Sequence, residues 1–389
     1  MSLRRKAAIT GIGEIRPGRV RDGRTIMDVW VDVSRRAMLD AELMPSDIDG
    51  LLVGQPFTEA ATTWPLIIGE YLQIRPTYGD AVALGGASAC AMVWRAAAAI
   101  DAGLCSTVLC ITGETFGASF SGRSRRPAQQ PQLPHQEYEL PYGPHGANSS
   151  YAMIAMRHMH EFNTTSRQLA KIAVDQRTNA CANPDAVFYG QPLSVDDVLE
   201  SPIVTDPLHL LEIVMPCVGG AAVVVASPER ARGSPHPPAW LLGAGEHSTV
   251  SMVSQIHDLT TSPIAVSAPR AFQMAGVTPK DIDLISVYYC YTIMVLMTLE
   301  DAGFCPKGRG GPYVEEHDLT FGGDLPLNTH GGQLSFGQPG LAGGMSHVTE
   351  AVRQLQGRAG DRQLRDCELA FVNGNSGSMT EEVSLVLGR

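Results

Sequence analysis

Tyr288, Tyr289 and Tyr291 fall inside one seven-residue stretch, Ser286 to Thr292. A phenol can give or take a proton, but its ordinary pKa of about 10 means that its surroundings must help it. The stretch follows Asp281-Ile-Asp-Leu, a short alternating run, and precedes Ile293 to Ala302, whose apolar residues recur at helical spacing. The three tyrosines are therefore expected at a strand-to-helix junction, the rim of an α/β sheet where ligands usually bind. They would serve equally well as ordinary sheet aromatics, and composition alone does not separate the two readings.

Other chemistry-bearing residues are sparser. The eight cysteines, at 90, 105, 110, 181, 217, 290, 305 and 367, show no CxxC pair and no metal-binding spacing with histidine. They read as reduced, mostly buried thiols of a cytosolic protein, with no metal expected. A net charge of −11 and a pI near 5.5 argue against nucleic acid and against an anionic membrane surface. An anionic ligand would need a local basic patch. Arg123, Arg125 and Arg126 are the densest candidate for one, although loop arginines are also commonly just solvated. Met1 to Lys6 leads straight into an apolar run, leaving no room for a signal peptide, and no stretch of 18 apolar residues is present to span a membrane. The expected location is the cytoplasm.

The elements that must position these residues read as alternating strands and helices in a chain of 389 residues, 44% hydrophobic, long enough for two domain-sized units. Strands are expected at Ala8–Gly11, Leu51–Gly54, Val108–Thr112 and Ala221–Ala226. Helices are expected at Thr25–Leu39, Gly85–Ile100, Ser149–His160 and Arg167–Asn179. Ser46 is expected to cap a short Asp-Ile-Asp segment. The helix from Gly85 is almost wholly apolar or small and should be buried on every side. Phe116 to Leu140 lacks periodicity and reads as a lid or binding loop. Ser227 to Pro238 is a linker by composition.

Beyond the linker the pattern repeats. Trp240 to Glu246 resembles Ala7 to Glu14, and Ala271 to Asp283 repeats Ala37 to Asp49, with Asp-Ile-Asp matching letter for letter. A second glycine-opened helix runs from Gly340 to Leu355, and two strands, Glu368–Val372 and Glu382–Leu387, close the chain. Two similar α/β halves follow, at residues 1–228 and 239–389, with a loop domain at about 115–215 inserted in the first. If the halves are equivalent, the two glycine-opened helices aim their N-termini at one shared cleft. Free N–H groups there suit an oxyanion.

Asn328-Thr-His-Gly-Gly-Gln-Leu-Ser-Phe-Gly-Gln-Pro339 resembles the thiolase segment Asn-x-x-Gly-Gly-x-x-x-x-Gly-His-Pro. Val287-Tyr-Tyr-Cys-Tyr-Thr292, followed by Glu300-Asp-Ala-Gly-Phe-Cys305, is similar to the His-Asp-Cys-Phe block of sterol-carrier-protein-type thiolases. Tyr142-Gly, Ser150-Tyr-Ala-Met153, Arg177-x-Asn-Ala180 and Asn183-Pro-x-Ala186 resemble loop-domain phrases of that branch. The resemblance to the thiolase superfamily spans the whole chain. It implies a five-layer α-β-α-β-α fold, a coenzyme A thioester as substrate with no bound cofactor, and a homodimer.

The catalytic positions depart from thiolase. Gly86-Ala-Ser-Ala89 stands where thiolases have Cys-Ala-Ser-Gly, Gln338 replaces the histidine of Gly-His-Pro, Tyr288 replaces that of His-Asp-Cys-Phe, and no second cysteine lies near Asn373. Covalent acyl transfer needs a nucleophile with an adjacent base. The chain therefore looks like the cysteine-less thiolase-like aldolases of steroid side-chain degradation. These cleave a β-hydroxyacyl-CoA by a retro-aldol step beside an OB-fold/zinc-ribbon partner. Tyr288 fits their first tyrosine, while Gln338 stands at the second.

The site this implies has Tyr288 as the proton-transfer group, with Tyr289 and Tyr291 as neighbours. Gln338 is an amide donor to an oxyanion, and His330, beside Gly331 and Gly332, is the base or simply structural. Ser88, Asn328 and Asn373 line the substrate, and Gly86 leaves room for its bulk. Cys90, one turn beyond Gly86, is either a relocated nucleophile or a buried small hydrophobe. Two other functions stay open: a non-catalytic acyl-CoA-binding or scaffold subunit, and acyl transfer by non-standard residues.

Overall fold

A computed structural model describes residues 2–19, 23–57, 59, 61–115, 134–143 and 146–389. Its strands are β1 (Ala8–Gly18), β2 (Gly50–Gly54), β3 (Tyr78–Val82), β4 (Thr107–Glu114), β5 (Ile203–Thr205), β6 (Leu208–His209), β7 (Val218–Ala226), β8 (Ala239–Ser248), β9 (Leu284–Val287), β10 (Leu369–Ser376) and β11 (Glu381–Gly388). Nine of them hydrogen-bond in the order β3-β2-β4-β7-β1-β8-β11-β10-β9, and β5 and β6 form a small separate pair.

The duplication is visible in that order. β2 runs parallel to β4, β4 antiparallel to β7, and β7 antiparallel to β1. In the same sense β9 runs parallel to β10, β10 antiparallel to β11, and β11 antiparallel to β8. β3 flanks β2 in the first half, where the second half has a single parallel bridge from Ile285 to Leu327. In the sheet the halves join where β1 meets β8, at the register pairs Ala8–Trp240 and Ile9–Ala239.

Three apolar cores separate the layers. Helices Ile26–Asp40 and Trp64–Leu72 cover the outer face of the first half, using Ile26, Val29, Trp30, Val33 and Ile68. Helices Ser88–Asp101 and Gly344–Leu355 fill the space between the half-sheets, with Ala89, Met92, Ala96, Met345, Val348 and Val352. Helices Ile264–Ala275 and Thr292–Asp301 cover the outer face of the second half. The result is the α-β-α-β-α stack expected of the thiolase fold.

Local chemistry explains the element ends. Thr25 opens its helix with a reciprocal cap: its hydroxyl accepts from the Asp28 N–H (3.2 Å) and the Asp28 carboxylate accepts from the Thr25 N–H (2.8 Å). Such a cap contributes about 0.5–2 kcal/mol. The cap expected of Ser46 is supplied instead by Asp47, whose carboxylate accepts from the Met44 N–H (2.9 Å). Asp281 does the same for the Thr278 N–H (2.7 Å) in the repeated copy, because a carboxylate three residues on reaches back further than a serine within the turn.

Both central helices begin later than their glycines suggest. Gly85–Ala87 and Gly340–Gly343 form 3-10 turns ahead of the α-helical residues. The helix from Ser88 is buried except along Trp94, Arg95, Ala98 and Asp101. Trp94 and Arg95 reach out to the Glu246 carboxylate, at 2.8 and 3.2 Å. Within the expected loop Phe116–Leu140, residues 116–133 lie outside the described residues, and Pro134–Tyr138 is a short helix. Among the described residues, no helix is long and apolar enough to cross a membrane.

Candidate active site

The two central helices do converge. A Cβ on Gly344 would stand 2.3 Å from the Gly86 carbonyl oxygen, so their first turns touch. Over this junction lies Tyr288, the first residue past β9. Its N–H donates to the Asn373 carbonyl (2.8 Å), and its own carbonyl accepts from the Asn375 side chain (2.8 Å). Held at both ends by β10, the phenol has one place to go.

That place is the surface of Gly86. A Cβ there would lie 2.3 Å from Cε1 and 2.4 Å from Cζ of the Tyr288 ring. The expectation that the missing side chain makes room for substrate is therefore corrected: the protein's own tyrosine occupies the space.

The phenolic oxygen accepts from Nε2 of Gln338 (2.8 Å) and lies 3.4 Å from Sγ of Cys290, which donates to it. Gln338 uses the other hydrogen of Nε2 on the Gly340 carbonyl (2.9 Å). Tyr288 is 4% exposed and Gln338 5% exposed, while Cys290 is half-buried. Burial, with Cys290 adding to it, holds the Tyr288 phenol well above its usual range. Burial also raises Cys290 to about 11, against the pull of its bond to Tyr288. Both groups carry their protons at neutral pH.

Behind the phenol stand two buried imidazoles. The His347 ring meets that of Tyr288 edge-on (centroids 6.4 Å apart) and that of His330 at 4.8 Å. His347 Nδ1 pairs with the Ser286 hydroxyl (3.1 Å), and its Nε2 has no partner among the described residues. Burial lowers His330 to about 3, the Glu350 carboxylate offsetting only part, so both rings are neutral. Among the described residues, neither ring nitrogen of His330 has a partner, nor does either amide atom of Gln333 or Oε1 of Gln338. Gln333 Nε2 and Gln338 Oε1 both lie over Gly343, 2.2 and 2.6 Å from where its Cβ would be. Buried polar atoms are nearly always paired. This cluster therefore holds buried donors and acceptors without a partner among the described residues.

The remaining expected residues are committed elsewhere. The Tyr289 hydroxyl accepts from the Leu334 N–H (3.2 Å) and donates to Gln176 (3.3 Å), and Tyr291 donates to Asn148 (2.5 Å) while stacking on Tyr151. Asn328 spends both ends of its amide on the backbone of Val287 (2.7 and 3.1 Å). Asn373 bridges Glu382 and Ser384 (2.9 and 2.7 Å), and Ser88 accepts from the Leu84 N–H (2.9 Å). These side chains tie neighbouring elements together around the site. Gly331 and Gly332 have positive φ (114° and 58°), and a Cβ on Gly332 would strike Gln176 at 2.1 Å. They serve the turn that places Gln333 to Gln338. Cys90 is 1% exposed with its sulfur against Gly374, and burial raises its thiol far above the usual range, so it is a core residue. Arg123, Arg125 and Arg126 lie outside the described residues.

Sequence reasoning missed Cys290, Gln333 and His347. A signal for the first existed: residues two apart along an extended segment share a face, which puts Cys290 beside Tyr288. Gln333 and His347 carry none, since only the folding of their turns brings them under the phenol.

Two similar halves whose paired central helices meet at their first turns define a thiolase architecture. The chain belongs to the thiolase superfamily. Residues 245–389 match the thiolase C-terminal domain-like family. Over its full length the chain is similar to the steroid side-chain-cleaving aldolase of Thermomonospora curvata, at 33% identity covering 98% of this chain and 97% of that one. It is also similar to the 17-hydroxy-3-oxo-4-pregnene-20-carboxyl-CoA lyase of Mycobacterium tuberculosis, at 31% identity covering 98% and 99%. Among solved structures, the Ltp2-ChsH2(DUF35) aldolase superposes with a TM-score of 0.89, at 33% identity over 99% of this chain and 98% of that one.

Proposed function

We propose that this protein is a lyase that breaks the Cα–Cβ bond of a β-hydroxyacyl-CoA by retro-aldol chemistry, with an acyl group of the steroid side-chain type. The observation that carries this reading is the replacement of a thiol on the central helix by a phenol seated on Gly86 and held by Gln338. No acyl-enzyme is needed for a retro-aldol step. The β-hydroxyl loses its proton, the Cα–Cβ electron pair passes to the thioester as an enolate, and the enolate takes a proton at Cα. Tyr288 is the proton-transfer group, and the buried amide donor of Gln333 beside Gly343 stabilises the oxyanion more strongly than water would. The sealed position of Cys90 leaves acyl transfer through that thiol without support.

The two duplicated halves, residues 1–228 and 239–389, with the segment at about 115–215 inserted in the first, work as one catalytic body; residues 146–181 of that segment pack against the second half. In this reading the protein acts as a homodimer beside an OB-fold/zinc-ribbon subunit; the name of its structural relative, the Ltp2-ChsH2(DUF35) aldolase, supports a second subunit. The full chain, alone and with such a subunit, is incubated with β-hydroxyacyl-CoA thioesters. Release of a ketone or aldehyde with the shortened acyl-CoA is expected. Binding without cleavage under both conditions would favour a scaffold role and end the proposal.

A further inference from the structure

We infer that Glu382 is a positioning residue for the Tyr288 phenol, acting through the side chain of Asn373 at the end of β10. The inference rests on the retro-aldol reading and names what holds its proton-transfer group in place. Residues 373–375 do two jobs at once. They grip both backbone ends of Tyr288, through the Asn373 carbonyl and the Asn375 amide (each 2.8 Å). They also pack on the seat of the ring: the Asn375 carbonyl oxygen lies 2.7 Å from where a Gly86 Cβ would be, and a Cβ on Gly374 would meet Cα of Ala87 at 2.9 Å. A shift in the end of β10 therefore moves the phenol relative to Gly86 and Gln338.

What fixes Asn373 is a directed chain of hydrogen bonds. An amide oxygen only accepts, so the Ser384 hydroxyl gives its hydrogen to Asn373 Oδ1 (2.7 Å). That leaves Ser267, on the helix Ile264–Ala275, as the donor in its 2.9 Å contact with Ser384. Asn373 Nδ2 then donates to Glu382 Oε2 (2.9 Å). All four side chains belong to fully buried residues, and Glu382 is the acceptor at the end of the chain. Without it the Asn373 amide is left with an unpaired donor in the core, a costly state that β10 relieves by moving.

The surroundings call for a neutral carboxyl. His247 stands opposite Glu382 on β8, Arg270 donates to the Glu246 carbonyl (3.1 Å), and Lys307 is bound to Glu300 and Asp301 (3.2 and 2.5 Å). Cys90 of the central helix and Tyr151 of the inserted segment face it as uncharged groups. Burial above all, with Asp301 and Glu381 adding to it against the pull of Asn373, holds the Glu382 carboxyl well above its usual range. Its Oε1 has no partner among the described residues and is the oxygen left to carry the hydrogen. Glutamine has the same shape, the same accepting oxygen and no charge, so it should substitute. In the unfolded chain the carboxyl ionises above about pH 4.5, and in the folded protein it does not. The stability that Glu382 contributes is thus complete below that pH and declines as pH rises.

The test uses the full chain with the cleaved thioester and two variants. Glu382→Met keeps the volume and removes the acceptor; its kcat should fall about 10²-fold with KM little changed, the expected effect of a reacting group displaced by about 1 Å. Glu382→Gln should keep the wild-type kcat, and its urea midpoint should gain on that of the wild type as pH rises from 4 to 8. Should the methionine variant not fold, Ser384→Ala cuts the same amide from its other side and takes its place with the same expectation. A folded Glu382→Met with wild-type kcat overturns the positioning role and leaves the retro-aldol reading standing. A Glu382→Gln as impaired as Glu382→Met, or a midpoint difference that does not change with pH, overturns the neutral acid on which the role depends. Absence of cleavage by the wild type sinks the underlying reading and the catalytic role of Glu382 with it.

Discussion

Replacing Gly86 by alanine sets a carbon 2.3 Å from Cε1 and 2.4 Å from Cζ of Tyr288, and 2.7 Å from the Asn375 carbonyl oxygen. Carbon atoms pack at about 3.5–4.0 Å, so the ring must shift by more than about 1 Å. It cannot do so freely, with His347 beside it and Gln338 on its hydroxyl. Overpacking costs about 1–3 kcal/mol and the lost hydrogen bond about 0.5–1.5 kcal/mol, so Gly86→Ala should destabilise by roughly 2–4 kcal/mol. A urea-unfolding cycle with Tyr288→Ala isolates the cause. In that background the two ring clashes are gone while the Asn375 contact remains, so the cost of Gly86→Ala should shrink by at least about 1 kcal/mol. Tyr288→Phe keeps both clashing carbons and should leave most of the cost in place. Equal costs in wild-type and Tyr288→Ala backgrounds would refute the claim that this glycine exists to seat the phenol.

Three further outcomes follow from the same geometry. Tyr288→Phe should lower kcat for thioester cleavage by about 10²- to 10⁴-fold while acyl-CoA binding measured by calorimetry changes little. Burial lowers His330 to about 3, so below its unfolded pKa of 6.5 the unfolded chain takes up a proton that the folded protein refuses. Its contribution is complete above that pH and falls away in acid. His330→Leu should therefore lose on the order of 3 kcal/mol less stability than wild type between about pH 7 and pH 4, read from urea midpoints. Glu350 is fully buried and grips Arg362 through Nε (3.0 Å) and Nη2 (2.9 Å), which hold its carboxyl down at about 2. Glu350→Gln leaves that guanidinium unpaired in the core and should cost about 3–5 kcal/mol in unfolding free energy.

Much of this protein was determined locally along the chain. The repeated helix, turn and strand around the two Asp-Ile-Asp segments announce the duplication, because period, cap and turn chemistry are short-range properties. The absence of cysteine at residue 86 and of histidine at 288 and 338 likewise limits the chemistry before any fold is known. Tertiary structure alone decided which side chains remain free. Tyr288, Tyr289 and Tyr291 read alike in sequence, yet β10 turns the first onto Gly86 while helices from the inserted segment tie up the other two. Asn328 and Asn373 read as ligand contacts and prove to be spent on neighbouring strands. Gly86 reads as empty space and is filled from more than two hundred residues away by Tyr288. A hydrogen bond consumes a donor and an acceptor that lie far apart in the chain, so which polar groups stay unpaired is settled only when the halves pack.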